Sequence, residues 1–256
     1  MPVVDEARGE VLDDVGCYVY GVVTTGRTRL PEDLTGVDDS AVELVECGEL
    51  AAVVGRIALD RTSGRRADVM AHSHVLDALA AAGPVVPVQF GSVMPDRDAV
   101  VEEFLAPNRD QFAELIDALT GRAQFHVRAT YHEGTVLQEV VAEHPEVAEL
   151  RRRTRELPED AALGDRVRLG ELVSAAMDAK RDQDGQILLD VVLPHVAAHA
   201  VREVGGVDAL LDVAFLVDDE RRDDFEQALE DAAAAMHERV RLQLVGPVAP
   251  YDFVGG

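Results

Sequence analysis

Two kinds of apolar pattern alternate along the chain. Short runs of β-branched and aromatic residues predict strands, and stretches with apolar residues every three or four positions predict helices. Cys17–Val23 (CYVYGVV) ends at Thr24-Thr25-Gly26 and predicts a buried strand. Residues 31–40, with Pro31, Gly36 and four acids, predict a loop. Val42–Cys47 and Leu50–Leu59 predict two strands joined at Gly48-Glu49, with Gly55 marking a bulge. A helix is predicted from Ala67 to Ala82, with Val69, His72, Leu76 and Leu79 on one face and Gly83-Pro84 as its stop. Val85–Phe90 predicts another strand. Asp96 then caps a helix carrying Val100, Val101, Phe104 and Leu105. Asn108 caps one carrying Phe112, Leu115, Ile116 and Leu119, which Gly121 ends.

The second half opens with the clearest alternation. From Arg122 to Tyr131, Arg122, Gln124, His126, Arg128 and Thr130 alternate with Ala123, Phe125, Val127, Ala129 and Tyr131. A period of two predicts a strand with one face on the core and one face wet. A helical region is predicted over 134–204, broken near Pro145, Pro158–Gly164 and Gly185. Leu211–Val217 predicts a strand, and Asp219–His237 a helix with Phe225, Leu229, Ala232 and Met236 facing inward. Val240–Val245 predicts a last strand with Leu242 and Leu244 on one face. The order strand, helices, strand, helix, strand predicts a sheet with helices packed on one side, an α+β sandwich. The chain thus divides near residue 120 into domains at 15–120 and 121–256, after a loose acidic tail at 1–14.

Charge narrows the function. Among 256 residues, 24 are Lys or Arg and 49 are Asp or Glu, for a net charge of -25. Such a surface disfavours nucleic acid and anionic membranes as partners. The hydrophobic fraction of 47% is ample for a core. Acids at Asp5, Glu6, Glu10, Asp13 and Asp14 are the opposite of a signal peptide's basic start. The longest uncharged run, Ala78–Pro95, is broken by Gly83-Pro84, Pro87 and Gly91, and reads as helix end, turn and strand rather than as a membrane span. Cys17 and Cys47 read as ordinary thiols in a reducing cytosol. A soluble cytoplasmic protein is expected.

The common catalytic signatures are absent: no phosphate-binding loop, no G-x-G-x-x-G, no G-x-S-x-G and no C-x-x-C. Two histidine groups remain. Asp68 and His72 share a helical face, but His74 points elsewhere, so His72 reads as a hydrogen-bonded core or interdomain residue more readily than as a ligand. His195, His199 and Glu203, four apart on the predicted helix, have metal-binding spacing, and need a further ligand from elsewhere. Arg151, Arg152, Arg153 and Arg155 form the only basic cluster, either a solvated helix face or a site for phosphate or an acidic partner. The stretch Glu32–Glu49 has seven acids and no base, which favours solubility.

Two proline-containing motifs carry more. Gly83–Val93 reads GPVVPVQFGSV and follows the helix with His72, Val75 and Leu76; Gly246–Val254 reads GPVAPYDFV. Together with the YVYGVV strand they resemble the gas vesicle protein F/L family, whose members carry segments of the form GPVLPLRFGTV and GPWPPYSFV. Leu169–Arg181 (LGELVSAAMDAKR), Val213–Val217 (VAFLV) and the Phe225 helix match in between, so the resemblance runs from Cys17 to Val254. Gln89 stands where an Arg is usual, and Val248, Ala249 and Asp252 where Trp, Pro and Ser are usual.

The resemblance implies an α+β fold of two domains, the C-terminal one ferredoxin-like with inserted helices. It implies no enzyme, no cofactor and no metal, but an assembly factor or minor component of gas vesicles. Such a protein binds the small hydrophobic shell protein and limits its aggregation during nucleation, with other gas vesicle proteins as further partners. Its place is the cytoplasm, in association with the vesicle. In the tail, Pro247, Pro250, Tyr251 and Phe253 are candidates for partner binding, because two prolines would present the rings on a stiff segment. Packing of the tail back on its own chain is the competing expectation. Two other functions remain open: a small-molecule-binding regulator on ferredoxin-like domains, and a metal enzyme using the His195 group.

Overall fold

The computed structural model describes residues 15–31, 33–61, 64–132, 134–156, 158, 162–203, 205–206 and 208–255, so the predicted acidic tail 1–14 lies outside the described residues. The chain forms two units. One runs to Gly121 and takes in Pro247–Gly256; the other is Arg122–Gly246. The terminal segment, expected with the second domain, therefore belongs with the first. The reason is burial: Ala249 sits in the first unit's core.

In the first unit β1 (Val15–Thr24) is central, because its side chains are buried on both faces. It pairs antiparallel with β3 (Leu50–Ala58), and β3 with β2 (Val42–Cys47). The irregularity in register falls between Val19 and Gly21, not at Gly55. Gly55 is instead a close approach: a Cβ there would lie 2.6 Å from Ser40 Oγ and 3.0 Å from the Tyr20 hydroxyl. The predicted strand Val85–Phe90 reduces to β4 (Val86–Pro87), and β5 (Val93–Met94) follows; both pair with β1. Pro84 and Pro87 lack the N–H that a longer ladder needs.

Helix α1 (Arg66–Ala82) buries Asp68, His72, Val75, Leu76 and Leu79. Val69 is 45% exposed, contrary to expectation. Asp68 sets the rotation: it accepts a 2.8 Å hydrogen bond from Arg61 and one from the Arg65 N–H, which anchors that side of the first turn inside. Asp96 caps α2 (Arg97–Ala99), its Oδ1 accepting from the Ala99 N–H at 2.8 Å, and the helix widens into a π-turn over Val100–Leu105. Asn108 does not cap α3 (Arg109–Leu119) with its side chain; its amide donates back to the Phe104 carbonyl.

In the second unit β6 (Arg122–Tyr131), β7 (Ala198–Val201), β8 (Ala209–Asp218) and β9 (Val240–Val248) form a sheet of order β7-β8-β6-β9. Between β6 and β7 lie α4 (Thr135–Glu143), α5 (Pro145–Glu156) and α6 (Leu163–Val192). Between β8 and β9 lies α7 (Arg222–Met236). The connectivity is β-α-β-β-α-β. Phe125, Val127, Ala129 and Tyr131 of β6 meet Val213 and Phe215 of β8, Phe225 and Leu229 of α7, and Leu188 and Val192 of α6. Gln124, expected on the wet face, is buried, and Leu244, expected on one face with Leu242, is 41% exposed on the edge strand β9.

Two helical expectations change. Gly185 does not break α6; it is buried, facing Leu211 of β8, and α6 runs through it because that side of the helix packs on the sheet. The helical region also ends at Val192, and Ala198–Val201 is a strand held by β8.

Candidate functional site

The new strand removes one candidate. His195 lies in a 3-10 turn (Leu193–His195), His199 in β7, and Glu203 beyond it, so they share no helical face. In α1, Asp68 is held by Arg61, His72 is buried and His74 exposed. Among the described residues no three His, Cys, Asp or Glu side chains converge on a point where a metal ion would sit. Cys17 and Cys47 are free thiols, the first buried and the second half-buried.

The two proline motifs, by contrast, meet. After Gly246 the chain enters the first unit as a strap. Ala249 is buried in the core, and its N–H points to Asp77 Oδ1 at 3.4 Å, a donor that the more usual proline would lack. Pro250 is buried, Pro247 half-buried. Tyr251–Phe253 then forms a 3-10 turn that swings the Tyr251 hydroxyl onto Val88 of the GPVVPVQFGSV segment and His72 of α1. Phe253 is half-buried, and Tyr251 as a whole is 42% exposed.

The partners assign every proton in this contact. The Val88 carbonyl can only accept, so Tyr251 donates to it at 3.0 Å and accepts from His72 Nε2–H at 2.6 Å. Nδ1 of a neutral ring is then an acceptor, and takes the Tyr18 hydroxyl proton at 3.1 Å. The Tyr18 oxygen in turn accepts from the Gly91 N–H at 2.9 Å. One directed chain runs from Gly91 through Tyr18, His72 and Tyr251 to Val88. The rings of Tyr18, Tyr20 and Phe90 surround the imidazole at centroid distances of 5.4–5.7 Å from it. Tyr20 is locked separately, accepting from the Val37 N–H at 2.7 Å.

Burial pushes the His72 imidazole down to about 4, and pushes the Tyr18 and Tyr251 hydroxyls up to about 12. All three are neutral at pH 7, as the chain requires. An unfolded His72 titrates near 6.5, so above that pH neither state holds the extra proton and the stability is full. Between pH 6.5 and about 4 only the unfolded chain takes it up, and stability falls as pH falls, by up to about 3 kcal/mol. Denaturation at pH 7.5 and 4.5 should therefore show the wild type losing about 2–3 kcal/mol more than His72→Gln. Equal losses would mean that the imidazole does not carry this dependence.

The arrangement ties α1, β1, the Val88–Gly91 segment and the strap together through hydrogen bonds and ring contacts. Sequence reasoning singled out His72 and Tyr251 separately but missed their contact, because 179 residues separate them. It also missed a partly buried ionic network in the second unit, where Tyr131, Asp184, Arg239, Glu139 and Lys180 link in series. Lys180, the chain's single lysine within LGELVSAAMDAKR, was the available signal.

Comparison with known proteins decides the family. A sequence profile described as gas vesicle synthesis protein GvpL/GvpF matches residues 16–255. The chain belongs to this family. Gas vesicle protein F of Streptomyces sp. (strain CB03234) is 34% identical over 244 residues, covering 93% of this chain and 98% of its own length. Gas vesicle protein L of the same strain is 28% identical over 264 residues, covering 93% and 92%. The crystal structure of the gas vesicle protein GvpF from Anabaena sp. PCC7120 superposes with a TM-score of 0.80 at 22% identity, over 94% of this chain and 98% of that one. The α+β architecture is thus the one seen in that GvpF. A gas-vesicle-related role follows from the GvpL/GvpF membership, and the family's description names no reaction. No described helix is long and apolar enough to cross a membrane.

Proposed function

We propose that this chain is a gas vesicle assembly factor or minor vesicle component that binds the small hydrophobic shell protein and limits its aggregation while a vesicle nucleates. It does so in the cytoplasm and at the vesicle, by binding alone, without catalysis or cofactor, and other gas vesicle proteins are further partners. The observation that carries the reading is the family match over 16–255. Physical chemistry supports it. An unassembled shell subunit exposes apolar surface that aggregates. A partner with net charge -25 that covers such surface leaves a complex that repels its own kind. Apolar side chains stand exposed on the chain for that purpose, among them Met70 at 61% on α1 and Leu163 at 66% on α6. The β-α-β-β-α-β connectivity supports reading the second unit as a ferredoxin-like domain with helices inserted before β7.

Within this reading the strap is one contact. Pro247 and Pro250 set its path, and the outer faces of Tyr251 and Phe253 meet the partner. The test is light scattering as shell protein is diluted out of denaturant. Equimolar wild type should suppress scattering and leave a complex that survives size exclusion; unchanged scattering sinks the chaperoning role. Tyr251→Ala with Phe253→Ala should suppress less per folded molecule, whereas Tyr251→Phe, which keeps the ring, should retain most of the effect. Full suppression by the double alanine variant would assign the strap to folding alone.

A further inference from the structure

Helix α5 carries Ala148, Arg151, Arg152 and Arg155 at i, i+3, i+4 and i+7, which places them on one stripe. The neighbouring stripe, Val147, Leu150 and Thr154, is buried and fixes the rotation. The arginine stripe is exposed and, with Val141 of α4, lines an open cavity of about 420 Å3. Two neighbours in the cluster meet carboxylates. Arg153, turned away from the cavity, meets Asp165 at 2.7 Å, and Arg152 holds Glu149 one turn back at 2.7 Å. Arg151 and Arg155 have no carboxylate partner among the described residues. Four arginines within five positions of one helix, Arg151 and Arg155 one turn apart and exposed, concentrate positive charge in a chain with twice as many acids as bases.

The geometry points to a docking surface for an acidic, helical segment of a partner protein, which lays an apolar side chain against Val141 and Ala148 and its carboxylates on Arg151 and Arg155. Three features select this occupant. Carboxylates one helical turn apart match guanidinium groups one turn apart, and each Arg can hold a carboxylate through two N–H bonds. The apolar wall adds nothing for a free phosphate but accepts the side chain between the two acids. The chain as a whole, at net -25, repels an acidic partner, so the stripe also selects where it approaches. This surface is independent of the strap and of the shell-protein reading.

The test uses the full-length protein and a fluorescein-labelled helical peptide with a Leu between two Glu residues four apart, beside its Gln-for-Glu version. Anisotropy should show binding that weakens as salt rises. Arg151→Glu with Arg155→Glu should weaken it about tenfold or more, and exposed Arg241→Glu on β9 should leave it unchanged. Far-UV circular dichroism keeps misfolding of the double variant apart from lost binding, and Arg151→Gln with Arg155→Gln, a milder change on the same exposed positions, should weaken binding in the same direction. Three results overturn the inference: no binding to the wild type, equal binding of the Gln peptide, or equal binding by folded charge-reversed protein. Pyrophosphate that binds more tightly than the peptide and displaces it would overturn it too, and make the stripe a small-anion site.

Discussion

Replacing Asp184 by alanine is expected to destabilise the second unit by about 3–5 kcal/mol, because the buried carboxylate that joins Tyr131 to Arg239 is lost. Asp184 on α6 is 5% exposed. Its Oδ2 accepts from the Tyr131 hydroxyl of β6 and from an Arg239 guanidinium N–H, each at 2.7 Å. Arg239 also reaches Glu139 of α4 at 2.7 Å, and Glu139 holds Lys180 of α6 at 3.0 Å. Burial works against an ionised Glu139, but the contacts with Arg239 and Lys180 keep its carboxyl below the usual range; the same carboxylates raise Arg239. Without Asp184, the buried Tyr131 hydroxyl has no acceptor and half of the Arg239 fork is unpaired. Urea denaturation followed by far-UV circular dichroism should show the midpoint of this unit falling by roughly 1–3 M. Asp184→Leu combined with Arg239→Met replaces charge by apolar volume and should recover part of the loss. An unchanged midpoint for Asp184→Ala would mean that water substitutes for the carboxylate.

Phe225→Ala should cost a similar amount, about 3–5 kcal/mol, for a different reason. Phe225 is fully buried, and its ring lies 5.5 Å from Phe125 of β6 and 5.8 Å from Phe215 of β8. Truncation leaves a cavity at the junction of α7 with both central strands of the sheet, where backbone on each side is hydrogen-bonded and slow to collapse. Phe225→Leu fills most of the space and should cost less than half as much. A comparison of the two by the same denaturation separates cavity from hydrophobicity: equal losses would show that the aromatic contacts, not the volume, matter.

Much of the fold is legible in sequence wherever one pattern is imposed by one interface. β6 was expected at Arg122–Tyr131 and is found there, because its alternation is set by a core on one side. β2 and the Phe225–Leu229–Ala232 stripe of α7 follow for the same reason. The misreadings share another cause. His195, His199 and Glu203 carry helical spacing, yet Ala198–Val201 is a strand, since four residues have little preference of their own and the edge of β8 supplies the ladder. Gly185 looks like a helix breaker, but α6 runs through it, buried against β8. Val69 looks inward by periodicity, but Arg61 draws Asp68 inside and turns the helix.

The candidate surfaces divide in the same way. The proline motifs, the arginine cluster, the acid excess and the family likeness are one-dimensional properties, and the amino-acid sequence by itself determined them. Which atoms meet was decided only by the tertiary structure. Tyr251 reaches His72 because the strap is drawn into the first unit by Ala249, and the tautomer of His72 follows from what Tyr18 and Val88 can donate or accept. Arg151 and Arg155 share a cavity with Val141 because the rotation of α5, set by the burial of Val147 and Leu150, turns them toward it. Periodicity encodes how one segment meets a generic interior. Contacts between segments far apart in sequence depend on how several such interiors close together, and no local pattern records that.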